Sequence, residues 1–244
     1  MIAPERLQTL DARKESLESF LRAWYPPEHD GAAKGPAISP APVEAPALLR
    51  WWWSLVAARP ILRGVQNKFL APTKFVADPF LIYGNPPRAI EPSPVVWPFW
   101  SENQGVVTLA CESRGDDPIV WASSDYQPTY TLCAVREREP LSGQLIRYSL
   151  LEAMYGAIEG GQWGTLALDT FDDIVRRCSM HRLPLEPTGY PADRMEFFTA
   201  PGFIAVAELD EAAGEAHAMF GGNRAGALAA IEPMVDDPTE FGIA

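Results

Sequence analysis

The residues that decide the fold are 97–121, WPFWSENQGVVTLACESRGDDPIVW. Residues 102–105, Glu-Asn-Gln-Gly, favour a tight turn, because asparagine tolerates the left-handed backbone region and glycine adopts it without steric cost. The β-branched and small apolar residues at 106–111 predict a strand that is buried on both faces. Asp-Asp-Pro at 116–118 predicts a second turn, and Ile-Val-Trp at 119–121 begins another strand. The stretch therefore predicts antiparallel strands joined by short turns.

Outward from this stretch, the sequence predicts further short strands in the middle of the chain and helices towards both ends. Apolar residues on one helical face predict helices at 3–24 and 140–158, and further helices are predicted at 47–59 and 224–231. A hairpin is expected at 197–209, with its turn at Pro201 and Gly202, and another strand at 216–220. No regular helical crossovers separate the strands. We therefore predict an α+β fold with a mostly antiparallel central sheet of short strands, flanked by N-terminal and C-terminal helices.

Domain organisation is predicted to be simple. Residues 26–46 are rich in proline and cannot form a core element, so we expect a loop or linker after the N-terminal helix. A single helix before that loop cannot bury its own apolar stripe. We therefore expect one domain over residues 1–244, and we expect the tail at residues 236–240 to fray.

Charge is distributed unevenly along the chain. The formal net charge is −12, and residues 152–244 hold 16 acidic and 5 basic side chains. Such a surface repels phosphates, so we expect no nucleic-acid or membrane partner, whereas a basic protein partner would be attracted. The alternative is that the acidity serves solubility alone. The sequence leaves the oligomeric state open.

Cellular location follows from the cysteines and from the N-terminus. Cys111, Cys133 and Cys178 are widely spaced and form no CxxC pair, which is typical of packed, reduced thiols. The first residues are charged and lack the apolar core of an export signal. We expect a cytoplasmic protein.

Little in the sequence points to catalysis. It contains no HExxH, GxGxxG, Walker or GxSxG motif, and its three histidines are isolated from one another. The Asp-Asp pairs at 116–117, 172–173 and 236–237 are explained by turn and capping roles. We predict no enzyme, no cofactor and no metal site. One alternative is an unrecognised enzyme that uses Cys178 as a nucleophile and His181 as a base, three residues apart.

A second alternative concerns the helix at 47–59. Trp51, Trp52 and Trp53 are consecutive, and neighbouring helical residues point about 100° apart, so the three rings cannot share one face. At least one should meet another element or lie at the surface, and we expect two of them in the core and the third covering the proline-rich loop. A small-ligand or partner site built on these rings is the functional alternative.

The segment ENQGVVTLACESRGDDPIVW at residues 102–121 resembles the SUKH superfamily, which includes fungal cell-wall assembly regulators and bacterial immunity proteins. Gln-Asn-Lys-Phe-Leu at 66–70 and Leu-Ser-Gly-Gln-Leu at 141–145 match further parts of that pattern, and the order fits over about residues 47–232. The long proline-rich loop departs from it. So does the Thr-Leu-Ala sequence at 108–110, where an aromatic residue often stands in the family.

The resemblance implies a SUKH-like fold and a non-enzymatic binding protein, in bacteria often an immunity protein that neutralises a toxin by direct contact. It carries over no catalytic residues. We assign partner contact to Glu102, Asp116, Asp117 and Trp121, in the motif itself. The competing interpretation is that these residues cap turns and fill the sheet. The acidic C-terminal third would suit a basic toxin domain such as a nuclease.

Overall fold

A computed structural model of the chain describes residues 1–26, 39–76, 81–82, 88–89, 95–104, 107–123, 134–136, 139–186 and 195–243. The chain divides into two compact units, one built from residues 1–28 and 146–244 and the other from residues 29–145. Helices and antiparallel sheets occur together, which confirms the predicted α+β class. The single domain over 1–244 stays a prediction. Most of the proline-rich loop lies outside the described residues.

Four α-helices of ten or more residues are present in the described residues. They are α1 (Leu10–Trp24), α2 (Ala47–Ala58), α3 (Leu141–Tyr155) and α4 (Leu168–Arg177). The helix predicted at 3–24 is interrupted, since a 3-10 turn at Pro4–Leu7 precedes α1. Thr9 is the reason for the break, because it has extended backbone angles and its hydroxyl accepts a hydrogen bond from Ala12 N at 3.3 Å.

The unit of residues 29–145 contains a six-stranded antiparallel sheet. Its strands are β1 (Lys68–Phe69), β2 (Phe75–Val76), β5 (Val95–Ser101), β6 (Thr108–Glu112), β7 (Val120–Ser123) and β8 (Ala134–Arg136). The order is β1-β5-β6-β7-β8, with β2 also paired to β5. The strands β3 (Leu81–Ile82) and β4 (Arg88–Ala89) pair separately. The three strands predicted within residues 97–121 are therefore confirmed, and they form the middle of this sheet.

Strand β5 supplies much of the apolar core of this sheet. Trp97, Phe99 and Trp100 are all fully buried, although alternate residues of a strand point to opposite faces. A register irregularity between Pro98 and Trp100 separates the two tryptophans along the ladder to β6. Because proline has no N–H to donate to that ladder, an irregularity at this position loses no hydrogen bond from Pro98.

The other unit contains a five-stranded antiparallel sheet. Its order is β10 (His181–Arg182), β11 (Met195–Ala200), β12 (Phe203–Asp210), β13 (Glu215–Gly222) and β9 (Glu159–Ala167). The predicted hairpin is confirmed as β11 and β12, which turn at Pro201 and Gly202 with Gly202 at φ +75°. The predicted strand at 216–220 is confirmed as part of β13. Strand β9 was not expected, because Gly160 and Gly161 indicated only the end of a helix.

One face of this second sheet is covered by a single apolar cluster. Phe171 and Ile174 of α4 pack there against Phe203, Ala205 and other inward residues of β12 and β13. Small residues on the sheet leave room for aromatic rings, such as Phe171 and Phe220 with centroids 6.2 Å apart. The opposite face carries the polar residues that matter below.

The C-terminal predictions are corrected by the structure. Residues 224–231 form a succession of turns rather than a helix, and Gly226 at φ +73° is incompatible with a regular helix. The Glu159 carboxylate accepts hydrogen bonds from Gly226 N and Leu228 N, which holds this loop on β9. The tail is not frayed, since Pro238–Phe241 is a 3-10 turn and Phe241 is buried in the apolar cluster.

Within the described part of the chain, none of the helices has the length and apolar character that crossing a membrane requires.

Candidate functional site

Hydrogen bonds link the turn at residues 102–104 to the segment at residues 66–70. Asn67 is buried, and its side-chain oxygen accepts a hydrogen bond from Asn103 N at 3.2 Å. Glu102 folds back on the same turn, where its carboxylate accepts from Gln104 N at 2.8 Å. Two segments that the sequence analysis singled out separately, residues 66–70 and 102–104, therefore support each other.

Asp117 caps helix α3 from a distant point in the sequence. Its two carboxylate oxygens accept hydrogen bonds from Ser142 N at 2.8 Å and Ser142 Oγ at 2.5 Å. Leu141 N donates to Pro118 O at 2.9 Å, so the Asp-Asp-Pro turn and the start of α3 are tied together twice. A carboxylate at a helix N-terminus satisfies a backbone N–H that has no partner within the helix.

Trp121 lies in the sheet rather than on its surface. It is 7% exposed, and its indole N–H donates to Glu112 Oε1 at 3.0 Å. Asp116, by contrast, is exposed beside the capping Asp117. Structural roles thus account for Asp117, Trp121 and the Glu102 turn. Partner contact by the four residues stays a prediction, and Asp116 has the most accessible side chain for it.

The tryptophan helix is explained by packing. Trp52 and Trp53 are buried, and Trp51 is half-buried, as the sequence predicted for two rings in the core and one outside it. Trp52 meets Phe69 edge to face, with ring centroids 4.7 Å apart. The Trp53 indole donates to Ser39 O at 2.8 Å, which anchors the C-terminal part of the proline-rich loop. In the part of the chain that the structure describes, these contacts are those of a packed core.

The proposed thiol nucleophile is in an unfavourable place. Cys178 is the C-terminal cap residue of α4, while His181 is an exposed residue of strand β10. Burial raises the pKa of the Cys178 thiol, whereas a nucleophilic cysteine needs a lowered pKa because the thiolate is the reactive form. The alternative of a cysteine enzyme therefore gains nothing from the structure.

Cys178 is expected to react with iodoacetamide more slowly in the folded chain than in the urea-unfolded chain, near pH 8. The raised pKa leaves less thiolate at that pH, and the side chain is partly covered. Cys111 is fully buried with a strongly raised pKa and should react more slowly still. Timed alkylation with peptide mapping by mass spectrometry measures both. A folded chain that alkylates faster at Cys178 would restore the nucleophile hypothesis.

The strongest candidate site is a groove at the exposed end of the other face of the second sheet, near the turn at residues 211–214, with a volume of about 470 Å³. It is lined by residues from β9, β12, β13 and the ends of these strands: Thr165, Glu208, Leu209, Asp210, Glu215 and His217. The strand register places these residues in two neighbouring rows. Glu208, His217 and Thr165 form one row across β12, β13 and β9, and Asp210 and Glu215 stand opposite each other in the next. We call this surface the acidic groove.

Aromatic stacking and a hydrogen bond fix the side of the acidic groove nearest β9. The His217 imidazole stacks on Trp163, with ring centroids 5.0 Å apart and planes 12° from parallel. A hydrogen bond of 3.2 Å joins His217 Nδ1 and Thr165 Oγ1. The imidazole is thus held in one orientation even though its side chain is exposed.

Electrostatics make the acidic groove strongly negative. Residues 203–222 carry four carboxylates, on Glu208, Asp210, Glu211 and Glu215, and no lysine or arginine. Asp210 and Glu215 are direct cross-strand partners, an arrangement that destabilises a sheet when both charges have the same sign. Asp210 is partly stabilised because it accepts hydrogen bonds from Ala212 N and Ala213 N, both at 3.0 Å. The repulsion that remains would be relieved by a bound cationic group.

The sequence analysis identified the acidic excess of the C-terminal third but did not predict this site. The acidic excess of residues 152–244 was the available signal, and four acids within residues 208–215 concentrate it. The groove also needs Thr165 and Trp163, which lie on the unexpected strand β9. Among the residues that the structure describes, no three histidine, cysteine, aspartate or glutamate side chains are grouped so that they could hold a metal ion.

Comparison with known proteins adds no further assignment. No family model matches the chain, and neither a curated protein nor a solved structure was found to be similar to it. The SUKH resemblance therefore stays a prediction from the motif residues.

Proposed function

We propose that this protein is a non-enzymatic binding module that holds a basic protein partner in the acidic groove. The supporting observation is the cross-strand pair Asp210 and Glu215, with Glu208 in the adjacent row. Two like charges at directly opposed positions cost folding stability, and functional sites are where proteins tolerate such costs. A lysine or arginine side chain from a partner would gain from all three carboxylates.

The kind of partner follows from charge and from the motif. A chain with a net charge of −12 attracts basic proteins and repels nucleic acids at long range. The SUKH-like motif implies an immunity protein, and we extend the proposal to a cytoplasmic protein that neutralises a basic toxin domain by direct binding. In this proposal the motif residues stabilise the unit of residues 29–145. The acidic groove, in the other unit, contacts the toxin domain.

Affinity capture of the tagged chain from its own host, with mass spectrometry of the captured proteins, tests the immunity proposal. A stoichiometric partner with a basic toxin-like domain, whose toxicity is suppressed on co-expression, is the expected result. If no basic protein is enriched above background, the immunity proposal fails.

Neutralising the acidic groove should slow association with that partner. The double variant Glu208→Gln and Glu215→Gln removes two charges from the groove and is expected to lower the association rate about tenfold at low salt, because steering is lost. The rate should also depend less on salt, since exposed charges are screened over about 10 Å at 0.1 M. Stopped-flow or surface-plasmon measurements across a salt series give both quantities.

The matched control is the double variant Glu232→Gln and Asp236→Asn, which removes the same charge from exposed positions outside the groove. It should reduce the rate by only about twofold, because net charge alone contributes weakly. Equal rates for the two double variants would show that the acidic groove is not the contact surface.

A further inference from the structure

Strand β9 forms the end of the five-stranded sheet, and the C-terminal segment lies along its outer edge. Gly160 N donates to Gly242 O at 3.2 Å, and Thr165 N donates to the Glu240 carboxylate at 3.1 Å. A side-chain carboxylate thus takes the place that a neighbouring strand's carbonyl would have at Thr165. Open sheet edges readily pair with other strands, and a covering segment is one way in which proteins prevent it.

Thr165 connects this edge to the acidic groove. Its amide points to the edge and meets Glu240, while its hydroxyl lines the groove and is hydrogen-bonded to His217. An extended chain that paired at Thr165 would therefore direct every second side chain towards the groove face, since side chains alternate along a strand.

Glu240 and its neighbour Phe241 hold the segment in different ways. Phe241 is buried in the apolar cluster, and its ring packs so closely on Gly164 that a Cβ there would lie 2.6 Å from ring carbons. Glu240 is exposed. The cluster lies on the face of the sheet opposite the acidic groove, because Gly164 pairs with Ala218 of that cluster. The Glu240 carboxylate can therefore leave Thr165 without removing Phe241 from the core.

We propose that the β9 edge at Thr165 is a docking site for an extended, basic segment of the partner, and that Glu240 occupies this site in the free protein. This inference rests on the proposed function of the acidic groove. A backbone carbonyl of the partner replaces the Glu240 carboxylate at the Thr165 amide, and a lysine or arginine of the same segment reaches Glu208 and Glu215. Main-chain pairing then supplies affinity, and the groove supplies selectivity for basic side chains.

Charge favours a basic segment over a second copy of this chain. Pairing of two β9 edges would bring together two sets of groove carboxylates and two Glu240 side chains. Like charges at close range oppose such an association. A basic segment instead gains from the same carboxylates.

The test compares full-length wild type with Glu240→Ala, Glu240→Gln and the control Asp236→Ala, which removes the same charge from an exposed position in the same segment. The probe is a peptide of alternating valine and arginine, of about twelve residues so that it spans an ordinary strand. A second peptide of the same sequence and charge carries a methyl group on every backbone nitrogen. It has no N–H to donate to the β9 carbonyls, and its methyl groups keep its backbone from lying along a strand edge. Amide exchange at Thr165, read by NMR, and peptide affinity are measured for each protein.

We expect the Thr165 amide to exchange faster in Glu240→Ala than in wild type or Asp236→Ala, and to be protected again when the unmethylated peptide binds. Glu240→Gln keeps an acceptor oxygen and should exchange like wild type. The unmethylated peptide should bind Glu240→Ala about threefold to tenfold more tightly than wild type, the value of one competing hydrogen bond. Asp236→Ala should bind slightly more weakly than wild type, since it only loses negative charge.

Three results would overturn the docking edge. These are equal binding of the methylated peptide, no gain in Glu240→Ala over Asp236→Ala, or self-association of Glu240→Ala in light scattering, which would make a second copy the occupant. Both peptides could also bind equally while the double variant Glu208→Gln, Glu215→Gln weakens the binding of both. In that case the acidic groove is a binding site, and only the proposal of docking at the β9 edge is wrong. If neither peptide binds any of the proteins, the proposed function fails as well.

Discussion

Replacing Gly160 by alanine is expected to destabilise the protein by about 3 to 5 kcal/mol, which combines backbone strain with steric overlap. Gly160 has φ +87°, a conformation that residues with a Cβ rarely adopt. A Cβ at this position would lie 2.1 Å from the backbone oxygen of Phe220 and 2.8 Å from Leu228 Cδ1. The backbone oxygen cannot move aside without breaking the pairing of β9 with β13. Urea unfolding followed by circular dichroism measures the loss.

Gly214→Ala is the matched control for Gly160→Ala. Gly214 has φ +71°, but a Cβ there would meet nothing within 4 Å. The expected cost is therefore only the backbone term, about 1 kcal/mol. Equal destabilisation of the two variants would show that the close approach of β9 to Phe220 does not limit the fold. A stable Gly160→Ala protein would place β9 elsewhere.

The middle of the first sheet could be predicted because its signals are local. The sequences at 102–105 and 116–118 consist of residues that favour turns, and the segment between them is rich in β-branched and apolar residues. The second hairpin has the same character, with Pro201 and Gly202 between two apolar runs. Such elements can be predicted from their own residues, without reference to the rest of the chain.

Strand β9 could not be predicted, because what makes it a strand is distant in sequence. Its three glycines weaken any strand preference and, after a helix, indicate termination. In the structure Gly160 admits the Phe220 carbonyl and Gly164 admits the Phe241 ring, so these two glycines are required by residues more than 50 positions away. The helix predicted at 224–231 was wrong because a distant residue determines this backbone as well. The Glu159 carboxylate accepts hydrogen bonds from it and holds it in turns.

The acidic groove could not be predicted from the sequence for a related reason. Composition shows that the C-terminal third is acidic, but not that Asp210 faces Glu215 or that Glu208 is in the row of His217 and Thr165. These relations depend on strand register, which a shift of one residue would reverse. Motif reasoning instead led to residues whose hydrogen bonds are structural, such as Asp117 and Trp121. A short sequence motif can therefore consist of residues that stabilise the fold as readily as of residues that bind a partner.

Asp117→Ala is expected to destabilise the protein by about 2 to 4 kcal/mol. The carboxylate accepts two hydrogen bonds from Ser142, which is buried at the start of α3, and a lost charged acceptor leaves both donors without it. Helix α3 is buried from Leu141 to Met154, so weakening its first turn also disturbs buried packing. Asp117→Asn keeps an acceptor oxygen and should lose less. Chemical unfolding of each variant gives the comparison.

Asp116→Ala is a control one residue away, with the same charge but an exposed side chain, and should change the free energy of unfolding by less than about 0.5 kcal/mol. The pair also separates the two interpretations of the motif. If Asp117 serves as a cap, its loss lowers stability, and partner affinity measured well below the unfolding temperature stays within about twofold of wild type. If it is a contact residue, affinity falls while stability is retained. A stable Asp117→Ala protein with lost affinity would therefore return the binding surface to the motif and away from the acidic groove.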